Sequence, residues 1–186
     1  PDEVGIYSVG VNFAELLWQI PSAVGMVLFS KSATTKNMLD SITRSTTILR
    51  LVLPIMFFAS LFIAIFAPYI IRIFYGSEFF ASVDVLRILL PGICFITISK
   101  VLHPDLAGRG YPLHAIKVFG FTLLLNIILN FVFIPKYGVN GAAITSTISY
   151  IIAGVGFGYT YSRKENISLN EILFLKKSDI ILIKDY

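Results

Sequence analysis

Between Arg50 and Arg72 the chain reads LVLPIMFFASLFIAIFAPYII, twenty-one residues from Leu51 to Ile71 without a charge. At about 1.5 Å of rise per residue a helix of this length reaches roughly 31 Å, the thickness of a bilayer's hydrocarbon core. Pro54 and Pro68 fall near the two ends, where a lost backbone hydrogen bond costs least. An arginine closes the run on either side, where an interfacial cation belongs. This stretch predicts a membrane-spanning helix.

The rest of the 186 residues agree with it. The chain is 56% hydrophobic and 14% charged, against about 45–50% and 25% for soluble domains, and its mean hydropathy is +0.80. Disorder is excluded by the surplus of apolar side chains. The net charge of +4, with no basic run, argues against a nucleic-acid partner. Cys94 is the single cysteine, which excludes an intramolecular disulfide framework and a cysteine-based zinc site. The expected fold class is all-α, a polytopic transmembrane helical bundle.

Four more segments approach spanning length. Val118–Ile134 lies between Lys117 and Lys136, and Val139–Tyr161 is uncharged until Arg163-Lys164. Val4–Phe29 carries Glu15 and Pro21. Val85–Leu102 holds Arg87 and Lys100, with twelve uncharged residues between them. That run alone suits a buried or re-entrant segment, and it spans if both cations snorkel to the interfaces. Five spans are therefore expected, at about 4–29, 51–71, 85–102, 118–134 and 139–161. Residues 1–162 then form a transmembrane lobe and 163–186 a tail. With this count twelve Lys and Arg fall on one side, the tail's included, and Arg72, Arg87 and Lys136 on the other. The bias predicts an outside N-end and a cytoplasmic C-end. The first residue is Pro and the start is acidic, so a piece of a longer polytopic protein is expected.

Polar residues within the spans are the candidates for function. Ser8, Asn12, Glu15, Gln19 and Ser22 recur at spacings of four and three, which places them on one helical stripe. A carboxylate facing lipid costs at least a few kcal/mol, so the stripe faces other helices or water. Two readings remain: interhelical hydrogen bonding, with Glu15 paired or protonated, or the lining of a transport cavity. Thr122, Asn126 and Asn130 share a face of the fourth span, and packing suffices to explain them. Gly141, Thr145 and Ser149, and separately Gly154 and Gly158, are small-residue patterns expected to pack helices.

Other motifs carry less. His103 and His114, eleven residues apart in an expected loop with Asp105 nearby, fit no standard metal spacing and read as solvated loop histidines. Gly108-Arg109-Gly110 lacks the context of a phosphate loop. Asn166-Ile-Ser168 is a sequon on the expected inner side, so no glycan is expected. No nucleophile–base set is recoverable, and neither an enzyme nor a cofactor is predicted. Ser168-Leu-Asn-Glu171 is a capping box, with Ile167 and Ile172 as its hydrophobic staple. The tail beyond it predicts a cytoplasmic amphipathic helix, with Lys176 and Lys177 near anionic headgroups.

Three stretches carry a family resemblance: Tyr75-Gly-Ser-Glu-Phe-Phe-Ala-Ser-Val-Asp-Val-Leu-Arg-Ile-Leu-Leu-Pro-Gly92, Leu106-Ala-Gly-Arg-Gly-Tyr-Pro112, and Asn126-Ile-Ile-Leu-Asn130 followed by Ile134-Pro-Lys-Tyr-Gly-Val-Asn-Gly-Ala-Ala143 and Ser146-Thr-Ile-Ser-Tyr150. In this order the chain resembles the C-terminal half of polysaccharide flippases, of the superfamily that also holds multidrug extruders and lipid II flippases. The resemblance implies the second lobe of a two-lobe transporter that moves polyprenyl-pyrophosphate-linked oligosaccharide to the outer face of the cytoplasmic membrane. It implies as partners the lipid-linked oligosaccharide, membrane lipids, an N-terminal lobe of the same protein, and a polysaccharide polymerase or glycosyltransferases. Such a substrate needs cations for phosphate and a polar path for sugar. Arg87 and Lys100 are the best-placed cations, with Arg50 and Arg72 next. Asn12, Glu15, Gln19, Asn126 and Asn130 are the polar cavity candidates. The competing readings are a drug or metabolite cation antiporter of the same superfamily, a non-transporting membrane scaffold, and a membrane-bound glycosyl- or acyltransferase.

Overall fold

The computed structural model describes residues 2–176 and Asp179. Four helices long and apolar enough to cross a membrane account for most of them. α1 is Glu3–Thr34, capped by Asp2, whose carboxylate accepts from Gly5 N–H at 2.8 Å. α2 is Met38–Tyr75, capped by Asn37 and closed by Gly76. A 3-10 turn, Ser77–Phe79, leads into α3, Ser82–Gly108, and α4 follows as His114–Glu165. α5 is the five-residue Leu169–Leu173.

The helices outrun the apolar segments that predicted them. α2 has 38 residues, about 57 Å at helical rise, and its first turns bury Ser41, Ser45, Thr46 and Thr47 beside Ile42 and Leu49. Arg44 and Arg50, expected in a connection, are helical.

α4 has 52 residues but is folded back on itself at Gly138 (φ 54, ψ −132). Asn126 Nδ2 donates to Ser149 Oγ at 3.0 Å, and Phe119 stacks on Phe157 with ring centroids 6.0 Å apart. Residues 23 and 38 positions apart touch only if the two arms run antiparallel, since a straight helix would separate them by tens of ångströms. The backbone of Gly138 lies where a Cβ is strained, so the glycine in Ile134-Pro-Lys-Tyr-Gly138 sets the reversal. The segments 118–134 and 139–161 are the two arms of this hairpin. Gly141 abuts the Phe133 carbonyl of the first arm. Gly154 abuts the Phe95 carbonyl of α3, where a Cβ has no room.

α3 is the hub on which α1, α2 and α4 pack, and it is the most buried of the four. This is why its apolar run could be short: neighbouring helices shield its ends. One core joins Val9, Leu17, Met56, Ile71, Leu86, Leu89 and Ile93. A second joins Leu28, Leu49, Val101, Leu102, Leu106, Phe157 and Ile172. The outer face of α2, by contrast, presents Phe57, Phe58, Phe62, Phe66 and Tyr69 outward, a surface suited to lipid.

Two expectations about the inner connections are corrected. His103 is not a solvated loop histidine: it is helical and half-buried, its ring edge-on to Phe119 and Phe157. Asp105 is fully buried in α3. The last turn of α3 carries these residues because α3 continues past its apolar run to Gly108.

The tail also departs from expectation. The capping box forms, with Ser168 Oγ accepting from Glu171 N–H and Ser168 N–H donating to Glu171. The helix nonetheless stops at Leu173. Arg50 Nη1 donates to the Glu171 carbonyl, which a continuing helix would use to receive Leu175 N–H. Ile172 plugs into the second core with Ile167 against it. Lys176 pairs with Glu171 at 3.4 Å, and Lys177 lies outside the described residues.

Candidate functional site

α1 and α4 both pack on α3 and touch each other, and two clefts lie along their contact, the two sections of a groove-like site. On α1, Tyr7 and Trp18 are eleven residues apart, three helical turns, and so share a face. On α4, Ser146 and Tyr150 are one turn apart. Tyr7 and Ser146 hydroxyls meet at 3.1 Å in one section, and Trp18 and Tyr150 rings meet at 5.9 Å in the other.

The first section is a cleft of about 410 Å³ at the Gly138 end, lined by Glu3, Tyr7, Asn126, Asn130 and Ser146 among others. Its amides are chained: Asn130 Nδ2 donates to Asn126 Oδ1 at 3.0 Å, and Asn126 passes its own donor to Ser149. The packing role read from the sequence and a cleft-lining role therefore coexist in Asn126. Thr122, on the same face, only returns its hydroxyl to the Val118 carbonyl.

The second section, about 600 Å³, is lined by Trp18, Ser22, Met26, Lys100, His103, Phe119 and Tyr150 among others. Lys100 Nζ lies 4.2 Å over the Trp18 ring, an arrangement in which the aromatic face partly offsets a desolvated charge. Glu15 is half-buried and acts electrostatically on both Lys100 and Tyr150, yet makes no direct ion pair among the described residues. A cation on an aromatic face, with its carboxylate at a distance, stays available to an incoming anion.

The remaining candidates are placed differently. Asn12 and Gln19 are exposed on the outward part of the α1 stripe. Arg87 is not gathered with Lys100. The two are thirteen residues apart on α3, about 20 Å along the axis, and Arg87 turns to α2, where its Nε donates to the Ala64 carbonyl at 2.9 Å. There it lines an apolar cleft of about 270 Å³ with Phe57, Cys94 and Phe95. Arg50 is engaged by the tail.

Sequence reasoning missed the polar cluster at the far ends of the helices. Asp105 accepts from Ser32 of α1 (2.6 Å), Ser41 of α2 (2.7 Å), Tyr161 of α4 (2.8 Å) and Arg109 of its own helix (2.7 Å). Arg109 also lies 3.0 Å from Glu165, an ion pair not aligned as a hydrogen bond. One signal was present: Asp105 and Arg109 are four apart, and the Gly-Arg-Gly stretch holds the arginine at the end of α3. The serines could be found only from the fold. Trp18 flanks the α1 stripe, one turn before Ser22, and was legible as an edge of it.

The profile of the family described as lipid II flippase MurJ matches residues 9–184. The chain belongs to this family. Among relatives of this flippase-family chain, the capsular polysaccharide biosynthesis protein CapF of Staphylococcus aureus is 31% identical over 94 residues, 50% of this chain and 24% of its own. A putative O-antigen transporter of Shigella flexneri is 23% identical over 167 residues, 87% of this chain and 39% of its own. The probable low-salt glycan biosynthesis flippase Agl15 of Haloferax volcanii is 25% identical over 156 residues, 80% and 32%. The chain thus spans between about a quarter and two fifths of the length of these relatives. No solved structure matches it. Family and helices together make it a multi-pass membrane protein.

Proposed function

We propose that the chain is the second-lobe portion of a flippase that carries polyprenyl-pyrophosphate-linked oligosaccharide across the cytoplasmic membrane for cell-surface polysaccharide synthesis. The observation that carries this reading is the two-part groove between α1 and α4. Amide and hydroxyl groups at the Gly138 end suit a glycan, whose hydroxyls both donate and accept. Lys100, poised on Trp18 beside apolar Met26 and Phe119, suits the junction where a phosphate meets an isoprenoid tail. Asn12, Glu15 and Gln19, outside both clefts in this chain, would add to the polar path where the stripe faces another part of the transporter. Arg87, off the groove, serves as an interfacial anchor on α2. The charge bias sets the Gly138 end outside and the tail in the cytoplasm, which orients the groove for export. A polymerase or glycosyltransferase is the expected neighbour in the membrane.

In the full-length protein in its host, Lys100→Ala lowers surface polysaccharide about tenfold, equal to about 1.4 kcal/mol, and lipid-linked intermediate accumulates on the inner leaflet. Lys100→Arg retains most display. Undiminished display by Lys100→Ala at a normal membrane level defeats the assignment. Export of small cations in place of glycan would favour an antiporter, for which a free acidic pair, rather than Glu15 beside Lys100, is the expected site.

A further inference from the structure

At the end of α2 nearest the tail, Asp179 is held as a bound anion is held. Arg50 Nε donates to Oδ2 at 2.6 Å and Nη2 to Oδ1 at 2.7 Å, a bidentate fork. Thr47 Oγ1 donates to Oδ1 at 3.3 Å and the Lys176 backbone N–H to Oδ2 at 2.9 Å. A guanidinium fork and a hydroxyl, both on α2, are donors that bind a phosphate oxyanion, and the Lys176 N–H adds to them only while the tail is docked. Arg50 is 4% exposed, too buried to remain without an anion at small cost. Asp179 and Arg50 themselves line a cavity of about 330 Å³ with Thr43, Thr46, Thr47, Lys176 and Glu171 among others, more room than a carboxylate fills, and Glu171 there is paired with Lys176. Arg50 also ends the uncharged run 51–71, so it stands at the depth of lipid headgroups.

We propose that this pocket is an anion site for a phosphate oxyanion, with a lipid headgroup as its occupant, and that Asp179 is a tethered competitor for it. With the site empty of lipid, Asp179 fills it and the tail is docked: Arg50 holds both the carboxylate and the Glu171 carbonyl, and Ile172 plugs the core. A headgroup phosphate takes the fork and Thr47, Asp179 leaves, and the segment from Asn166 to Lys176 loosens from α2. Lys176, then parted from the pocket, is free to meet the anionic surface. The tail is thus a lipid-sensitive strap between α4 and α2.

The test is hydrogen exchange of the peptide 167–176 in the full-length protein. It is run in vesicles of digalactosyl diacylglycerol, a neutral lipid without phosphate, then with about one-third phosphatidylglycerol added, and separately with millimolar inorganic phosphate. Exchange is expected to quicken about threefold or more with phosphatidylglycerol. A response to the lipid alone identifies the headgroup as the occupant, and a response to inorganic phosphate as well extends the site to any phosphate oxyanion. Asp179→Asn should exchange fast in the neutral vesicles and gain nothing from phosphatidylglycerol. If that variant fails to reach the membrane, Thr47→Val supplies the same reading with a weaker lipid response. Equal exchange in all three conditions, or wild-type protection in Asp179→Asn, overturns the proposal.

Discussion

Two polar regions lie in this apolar bundle, and they are built on opposite rules. Around Asp105 both carboxylate oxygens are answered: two serines and a tyrosine from α1, α2 and α4, and the arginine that caps α3, converge on one carboxylate with no exposure. In the groove, Lys100 rests on a ring and the amides of Asn126 and Asn130 border open space, while Glu15 nearby on α1 makes no ion pair among the described residues. A saturated cluster fixes helices in place. A groove with spare donors is ready to exchange them for a ligand's. Polarity inside a membrane protein therefore separates into holding and handling according to whether its hydrogen bonds are already spent within the protein.

The largest effect follows from breaking the saturated side. Asp105→Ala leaves Arg109 with Glu165 alone and removes the shared acceptor of Ser32, Ser41 and Tyr161 in a buried site, at a cost of about 3 kcal/mol. Its expected readout is a large fall in melting temperature and in the amount of protein in the membrane. Asp105→Asn keeps the acceptor from Ser32 and Ser41 and should lose less. A wild-type melting curve for Asp105→Ala would erase the distinction between the two regions.

Next comes Gly138→Ala, which puts a Cβ at φ 54 and ψ −132 and costs about 1–3 kcal/mol of backbone strain. Because Gly138 also floors the amide cleft near Glu3, transport should fall by more than the lost protein explains. Transport per molecule equal to wild type would make the turn a purely structural device. Trp18→Ala sharpens the contrast from the other side. It removes the ring under Lys100 from an open cleft, so transport should fall about threefold to tenfold, or about 0.6–1.4 kcal/mol. The melting temperature should change far less than in Asp105→Ala. A stability loss as large as that of Asp105→Ala would class Trp18 as core.

What the sequence made legible follows the same division. The apolar runs and the charges that bracket them predicted where long helices lie, because these features act locally, whereas Gly138 was read only as part of a family resemblance and its reversal came from the structure. Small residues announced the approaches at Gly141 and Gly154 for the same reason. The stripe from Ser8 to Ser22 was legible as a stripe, since helical spacing alone places those residues together, but of its five members only Ser22 lines a cleft, because packing decides which edge of the stripe is covered. Arg87 and Lys100 were read at opposite ends of one span, but not their different neighbours: both stand on α3, and only packing decides that Lys100 meets α1 and Arg87 meets α2. The Asp105 cluster stayed hidden because it joins residues 9, 56, 64 and 73 positions apart. Arg50 looked free for the same reason, its partner being 129 residues away.

The smallest effect tests whether the tail belongs with the holding region or the handling one. The Asp179 carboxyl is kept below the ordinary aspartate range, first by the hydrogen bonds from Arg50, with burial opposing. Exposed Glu171 is held low as well, first by the Ser168 backbone N–H. A carboxylate depressed in the folded state contributes stability that is present above its unfolded value, about 3.9 for Asp, and is lost as pH falls through the lower folded one. Docking of the tail in phosphate-free, neutral vesicles should therefore be flat from about pH 8 to about pH 5 and weaken only below about pH 4. Hydrogen exchange of residues 167–176 across that range measures it, with the α3 peptide around Leu89 as an internal standard for the bundle. A tail that loosens near pH 6 would place its control on a group other than Asp179. One that stays docked below pH 3 while α3 stays protected would make Ile172, and not the ion pair, the anchor.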